Sequence, residues 1–437
     1  MAAHLTVGHT TALRAIGIRL REQGHAVGFC LASARLPFAD RMPEPIRAAT
    51  QLPATITREG LELLPLSPAV SALWHGARLA GKTGYAELEG ALALFTSGMT
   101  RQARQIADHA RRWRADVVVV DYLMPAGMLG AELAALPFAA IYHSALPFPA
   151  AGAAPFGSGL ADDAPRGPEW SRAEATLQSL SDSFDRRVAR AAHKLGLPAP
   201  RSALLGKPLS PDLNLLTTVP ALEPGLVPLD GPIVMTGPCL PRISDTDRDD
   251  PALHALGDET PRIYVSLGTV FNAQPKVFET ILDGIALGEA RVVVSAGASF
   301  ERLASRAGPS VHVFRRVPQV ALLSQVDLVI THGGNNTVQE CLAAGRPMIV
   351  IPFGGDQIAN ARRVERLGAG VALMPDQLSA ARIRDAIDAV HVPACVARAK
   401  SLGASLAGLD GAATAASAIL ALVAARQRTV AAAPSGA

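Results

Sequence analysis

DLVITHGGNNTVQECLAAGRPMIVIPFGGDQIAN, residues Asp327–Asn360, holds two short apolar runs, each ending in a glycine pair and a set of polar side chains. The first run reads as a strand that ends near Thr331, with a helix starting near Asn335 or Asn336. Gly333 and Gly334 at the turn let a ligand approach the backbone closely. The free N–H groups of the first helical turn, and the positive end of the helix dipole, then point at that ligand, which suits phosphate. His332, Asn336 and Thr337 add side-chain donors. Glu340 lies one turn further on, facing the same side, where a carboxylate accepts hydrogen bonds from a vicinal diol such as ribose. A second strand end, IPFGGDQ (351–357), displays Asp356 and Gln357 at the same sheet edge. A lone Gly-Gly turn is an ordinary capped junction, and a lone Asp-Gln is a solvated helix start. Two adjacent strands delivering phosphate, diol and hydroxyl partners to one edge form the pattern a nucleotide-sugar needs.

Outward from this segment, short β-branched runs alternate with helical spacing. HLTV (4–7) reads as a strand, followed by a helix from about Thr10 to Gln23 that Gly24 ends. AVGFCLA (26–32), ADVVVVD (115–121) and FAAIYHS (138–144) read as further strands. After a Pro- and Gly-rich stretch the pattern restarts with RIYVSLG (262–268), RVVVSAG (291–297), VHVF (311–314), VDLVITHGG (326–334) and PMIVIPF (347–353). This β-α-β alternation predicts parallel sheets covered by helices. The expected division is an N-terminal domain (1–220), a linker region (221–261), a C-terminal nucleotide-sugar-binding domain (262–410), a terminal helix (411–426) and a disordered tail (427–437).

The 437 residues suffice for two domains, and 49% hydrophobic against 18% charged residues describes a globular chain. A net charge of +3 is too even to make nucleic acid or an anionic membrane the main partner. Cys30, Cys239, Cys341 and Cys395 are far apart, without a CxxC pair, so free thiols in a reducing, cytoplasmic setting are expected. No secretory signal is read at the N-terminus, and the longest apolar stretch (412–425) reads as too short to span a bilayer.

The segment VPQVALLSQVDLVITHGGNNTVQECLAAGRPMIVIPFGGDQIANARRVERLGAG resembles the donor-binding motif of the UDP-glycosyltransferase superfamily, nearest its bacterial macrolide and carotenoid branch. GHTTALRAIGIRLREQGHAV and VSLGTV extend a weaker resemblance over nearly the whole chain. The resemblance implies a GT-B fold, two Rossmann-like domains whose parallel sheets face a central cleft. It implies an inverting, metal-independent hexosyltransferase with no cofactor beyond its nucleotide-sugar. By position, His332 would touch the diphosphate, with Asn336 and Thr337 on phosphate, Glu340 on ribose, and Asp356 and Gln357 on the sugar. Gln319 would contact the base, and Thr269 would lie near the phosphates or the transferred sugar. Arg316 stands where the family has an aromatic residue stacked on the base. A guanidinium also stacks there, which keeps a dTDP-sugar beside UDP-glucose as donor.

Glycosyl transfer needs an acceptor hydroxyl to lose its proton, and a neutral histidine suits that task. His9, after Gly8, matches the family's general base, and Asp121, closing VVVVD, matches the aspartate that holds it. Ala12 replaces the family's proline. Alone, Gly-His is common and a strand-ending Asp often just caps a helix. The acidic run 245–250 sits in a Pro-rich linker and reads as solvated, not as a metal site. Trp74, Phe95, Met99 and His143 are expected to line an acceptor pocket, with 144–157 as its rim. Their apolar character points to a hydrophobic small-molecule alcohol. Monomer and homodimer both remain open. Two other readings compete: a catalytically silent nucleotide-sugar-binding auxiliary protein, and a nucleotide-sugar epimerase.

Overall fold

Apolar runs with almost no polar residue can pair only where both faces are covered, and in this chain such runs become parallel strands. A computed structural model describes residues 1–32, 44–67, 82, 84–200, 207–241, 243, 245–257, 261–268, 273–285 and 290–432. Trp74 and Thr269 lie outside these described residues.

In the N-terminal half the strands are β1 (Gly28–Ala32), β2 (Glu62–Leu66), β3 (Val118–Asp121), β4 (Phe138–Tyr142), β5 (Leu213–Leu216) and β6 (Ile233–Met235). β1 pairs with β2, and β3 to β6 pair in chain order, all parallel. Ala2 joins the two groups by bridging Cys30 on one side and Val120 on the other. The expected strand HLTV does not form. Thr6, in extended conformation, accepts a bond from the His9 N–H at 3.4 Å and starts the helix at Val7. The first strand is thus reduced to a bridge at Ala2, and His9 sits inside the first helical turn.

The C-terminal half contains β7 (Arg262–Ser266), β8 (Arg291–Ser295), β9 (Val311–Phe314), β10 (Leu328–Thr331), β11 (Met348–Val350) and β12 (Gly370–Ala372). Their order is β12-β11-β10-β7-β8-β9, again parallel throughout. The winding reverses between β7 and β10. In the N-terminal sheet it reverses between Ala2 and β3. A crevice opens beyond the carboxyl ends of the strands at each reversal, and ligands of open α/β sheets bind there. His332 follows β10, and His9 and Asp121 flank the other crevice.

Of the helices, α1 (Val7–Glu22), α2 (Gly84–Phe95), α3 (Met99–Trp113) and α4 (Pro168–Lys194) belong to the N-terminal half. α5 (Asn335–Ala343) follows β10, α6 (Asp356–Arg366) follows β11, and α7 (Gly411–Ala432) ends the described chain. The N-terminal core includes Leu13, Ile16 and Leu20 of α1 against Phe29 and Leu31, and it also takes in Ala412, Ala415, Ala416 and Ile419 of α7. Each fully buried large aliphatic side chain stabilises this packing by roughly 1.5–3 kcal/mol.

Three expectations about chain organisation need correction. Residues 221–261 are not a plain linker: β6 completes the N-terminal sheet, while Ala252, Leu253 and Leu256 join the C-terminal core. Within the acidic run, Asp250 caps a short helix by accepting from the Ala252 N–H at 2.9 Å. Helix α7 continues past residue 426 to Ala432, so 427–432 are not a loose tail, and 433–437 lie outside the described residues. The stretch Pro393–Thr429 is long and apolar enough, by length and composition, to cross a membrane, contrary to the reading from 412–425 alone. The face of α7 carrying Ala412, Ala415, Ala416 and Ile419 is instead packed into the N-terminal core.

Candidate active site

Asp121 is the last residue of a strand buried on both faces, and its side chain is fully buried. A carboxylate in such a place must be paired. It is bonded on both oxygens: Oδ2 to His9 Nδ1 at 2.7 Å, and Oδ1 to His143 Nε2 at 2.9 Å and to the Leu123 N–H at 3.0 Å. Burial pushes the Asp121 carboxyl up, but the two histidines together outweigh it and hold it well below the usual carboxylate range. An ionised Asp121 accepts from His9 Nδ1–H. That tautomer leaves Nε2 of His9 as the basic nitrogen.

The His9 ring is held by others. His143 lies 4.8 Å away between centroids, Phe95 5.1 Å and His4 5.6 Å. His4 stacks on Phe95 at 4.6 Å and bonds the Leu123 carbonyl through Nε2 at 2.9 Å. Burial pushes His4 down to about 4, against the pull of Asp121, so it is a neutral wall at physiological pH. His9, Asp121 and His143 bring their ligand-type atoms within 4.8 Å of one another, a group that could hold a metal ion. The 2.7 and 2.9 Å separations are those of charge-assisted hydrogen bonds, and a metal between these atoms would have to spread them.

Across the cleft, α5 begins at Gly334 without a side-chain cap, so its first N–H groups are directed at the crevice. Gly333 has φ +84°, and a side chain there would meet Val350 Cγ1 at 2.5 Å, so only glycine fits this turn. The His332 ring lies between Gly268 and Gly334, where an added methyl at Gly268 would collide with it. Burial pushes His332 down to about 4, so its ring stays neutral at physiological pH and can offer an N–H.

Glu340 is buried on the next turn, and burial pushes it up to about 7, opposed by Gln319. Gln319 Nε2 donates to Glu340 Oε2 at 2.5 Å and to Thr337 Oγ1 at 3.1 Å, while its Oε1 accepts from the Tyr264 hydroxyl at 3.0 Å. At the second edge, Gln357 Oε1 accepts from the Phe353 N–H at 2.9 Å. Asp356 opens α6, and burial raises its carboxyl against the opposing pull of His143 and His9.

Both crevices therefore face one cleft, with a histidine–aspartate pair on one side and an uncapped helix, a neutral histidine and a buried carboxyl on the other. Residues 279–408 match the family model of the erythromycin biosynthesis protein CIII-like C-terminal domain. The 4'-demethylrebeccamycin synthase of Lentzea aerocolonigenes is 31% identical over 337 residues, which cover 74% of this chain and 77% of that protein. The chain belongs to the UDP-glycosyltransferase superfamily.

Alignments with glycosyltransferases of Bacillus licheniformis and Bacillus subtilis cover less of those proteins, 34% to 44% of their length. The glycotransferase of kitacinnamycin superposes with a TM-score of 0.73 at 22% identity, over 97% of this chain and 98% of that one. The spinosyn rhamnosyltransferase complexed with thymidine diphosphate superposes with a TM-score of 0.66 at 19% identity, over 96% of this chain and 98% of that one. Both have the GT-B fold seen here.

In this member of the superfamily, the structure gathers His9 and Asp121 on one side and His332, Gly333, Gly334, Thr337, Glu340, Asp356 and Gln357 on the other. Arg316 is exposed just beyond β9, at the carboxyl edge of the sheet. Four expectations change. The Gln319 side chain is engaged with Tyr264, Thr337 and Glu340, not held out toward a base. Asn336 Nδ2 donates to the Gly8 carbonyl at 3.3 Å, tying its amide to the opposite domain. Met99 is 7% exposed and packs in the N-terminal core with Leu88 and Leu92, not on a pocket wall. His143 is 5% exposed and turned onto Asp121, so it does not line an acceptor pocket. Phe95 does reach the site, as a wall of the His9 ring.

Sequence reasoning missed Asn335 and Gln339. Asn335 Nδ2 donates to the His143 carbonyl at 2.7 Å, and Gln339 Nε2 to the Thr217 carbonyl at 2.6 Å. Spacing offered one signal. Asn335, Asn336 and Gln339 recur at i, i+1 and i+4, which places them on one side of α5. The expected rim does line a cavity of about 640 Å³, with Phe148 and Phe156, Trp170 and Leu177 of α4, and Ile358 and Arg362 of α6.

Proposed function

We propose that this chain is an inverting glycosyltransferase that moves a sugar from a pyrimidine nucleoside diphosphate sugar to a hydroxyl of an apolar small molecule. The observation that carries the reading is the 2.7 Å bond from His9 Nδ1 to a buried, doubly bonded Asp121 at the mouth of the cleft. His9 Nε2 takes the acceptor proton as the oxygen attacks the anomeric carbon. Asp121 fixes the tautomer and stabilises the imidazolium that forms. The C–O bond to the diphosphate breaks as the new glycosidic bond forms on the opposite face of the sugar. The leaving diphosphate is received by the uncapped N-terminus of α5 and the neutral N–H of His332, an arrangement that stabilises developing charge without a metal.

Glu340 binds the ribose diol, with Gln319 holding the carboxylate in place. Asp356 and Gln357 stand where the sugar hydroxyls would lie. UDP-glucose is the first donor to try and a dTDP-sugar the second. The spinosyn enzyme's complex with thymidine diphosphate and the exposed Arg316 both support keeping the two. A cavity of about 640 Å³ at the expected rim, walled by Phe148, Phe156 and Trp170 beside the charged Asp162, Arg362 and Arg366, has room for an acceptor of natural-product size. The paired His9 and Asp121 weigh against a catalytically silent binder.

The test is nucleotide release by the full chain, with UDP- and dTDP-sugars offered against phenolic, polyketide and terpenoid alcohols in the presence of EDTA. Release with one donor and an apolar alcohol is expected. Sugar conversion without an acceptor would move the reading to an epimerase, and loss of activity in EDTA would overturn metal independence.

A further inference from the structure

Asp121 serves two histidines, and the mechanism above uses only one. His143 is 5% exposed, so little of it reaches solvent, and its Nε2 is 2.9 Å from Asp121 Oδ1. Oδ1 has one other donor, the Leu123 N–H at 3.0 Å. With only the Leu123 N–H on Oδ1 and His9 on Oδ2, the carboxylate keeps some freedom to turn about its Cβ–Cγ bond, a movement that lengthens the His9 contact. The second side-chain donor removes that freedom.

The backbone of His143 is held from the other domain. Asn335, 5% exposed at the start of α5, donates through Nδ2 to the His143 carbonyl at 2.7 Å. Asn335 Oδ1 in turn accepts from Arg363 at 2.8 Å, and Arg363 pairs with Glu223 at 2.7 Å. The same helix reaches the His9 segment through Asn336 and the Gly8 carbonyl. One helix of the donor side thus holds both chain segments that bring a histidine to Asp121.

We propose that His143 is a positioning residue for the base: it locks the Asp121 carboxylate in the orientation that serves His9, and Asn335 makes that lock depend on docking of α5. The proposal rests on the reading of His9 as general base. The charged and titratable groups that face His143 are Asp121 at the end of β3, His9 on α1, His4 in the N-terminal segment, Tyr122 after β3 and Asp356 on α6. Burial lowers His143 and Asp121 raises it, with a net rise, so it keeps its Nε2–H toward Oδ1 in either protonation state.

The experiment compares His143→Leu with His143→Gln in the full chain. The glutamine amide can reach the place of Nε2 and donate to the same oxygen. Four quantities are measured: unfolding temperature, UDP and dTDP affinity by calorimetry, the pH profile of transfer, and the low-field proton resonance of His9 Nδ1–H. His143→Leu is expected to lower kcat by about tenfold to a hundredfold, with nucleotide affinity within about twofold. It should also displace the acid limb of the profile and lose the low-field resonance, and His143→Gln should recover kcat and resonance. An unchanged kcat, profile and resonance in His143→Leu would overturn the proposal. So would equal losses in both variants accompanied by the same fall in unfolding temperature, because that result means packing alone. If the unaltered chain transfers no sugar, the reading of His9 as base fails, while the resonance still decides whether His143 holds Asp121.

Discussion

The two crevices use different physics. On the C-terminal side, the cleft is lined by groups that stay neutral or wait to ionise: the uncapped N–H groups of α5, a His332 pushed down to about 4, and a Glu340 pushed up to about 7. On the N-terminal side, three histidines crowd one buried carboxylate that stays ionised. Binding a diphosphate needs preformed donors that cost little reorganisation. Moving a proton needs an acceptor whose charged form is stabilised by a fixed partner. The comparison teaches that one cleft can hold both because the carboxamides of Asn335, Asn336 and Gln339 cross it to backbone carbonyls, joining the sides without adding charge.

The largest expected effect breaks the comparison outright. His9→Ala should lower transfer by about a hundredfold to ten-thousandfold while leaving nucleotide binding intact, as read by calorimetry. A parallel loss of nucleotide affinity would mean that the two sides are not separable in function.

Asn336→Ala sharpens it. Its amide bonds the Gly8 carbonyl beside His9, so kcat should fall by about five- to tenfold with little change in nucleotide affinity. The family resemblance assigns Asn336 to the phosphates. If that is its role here, the calorimetric affinity for UDP or dTDP falls instead.

The third effect, on affinity rather than on rate, concerns pH. A ribose diol donates to the ionised form of Glu340, whose carboxyl in the free protein is raised to about 7 by burial. Ionisation is therefore favoured in the complex, and binding releases a proton. Affinity for the nucleotide should rise by up to about tenfold as pH goes from 6 to 8, then level off. Glu340→Gln should weaken binding and flatten that dependence. Affinity that falls over the same range would show that the protonated carboxyl is the binding form.

Much of the C-terminal side could be read from residues. Leu328–Thr331 and Met348–Val350 are short continuous apolar runs, and the glycines that follow them have a single structural use, so periodicity and turn chemistry agree there. The N-terminal side was harder. The first strand is only a bridge at Ala2, while HLTV carries enough β-branched character to suggest a strand that Thr6 instead caps away. Ile233–Met235 lies among prolines and glycines, and its place in the sheet comes from pairing with Leu213–Leu216, a contact no local pattern announces. Met99 resembles a pocket residue in sequence because core and pocket walls use the same side chains.

Local chemistry by itself determined the parallel α/β class, the glycine turns, the place where α5 starts and the candidacy of His9 and Asp121. Each depends on neighbours within a few positions or on a motif of set spacing. Tertiary structure alone decided which polar atoms meet: His143 on Asp121 rather than in a pocket, Gln319 on Glu340, and the α5 amides on the opposite domain. A hydrogen bond is set by about an ångström of separation and by direction, and sequence spacing fixes neither once the partners sit on different elements, whether 22 positions apart, as His143 and Asp121, or 328, as Asn336 and Gly8.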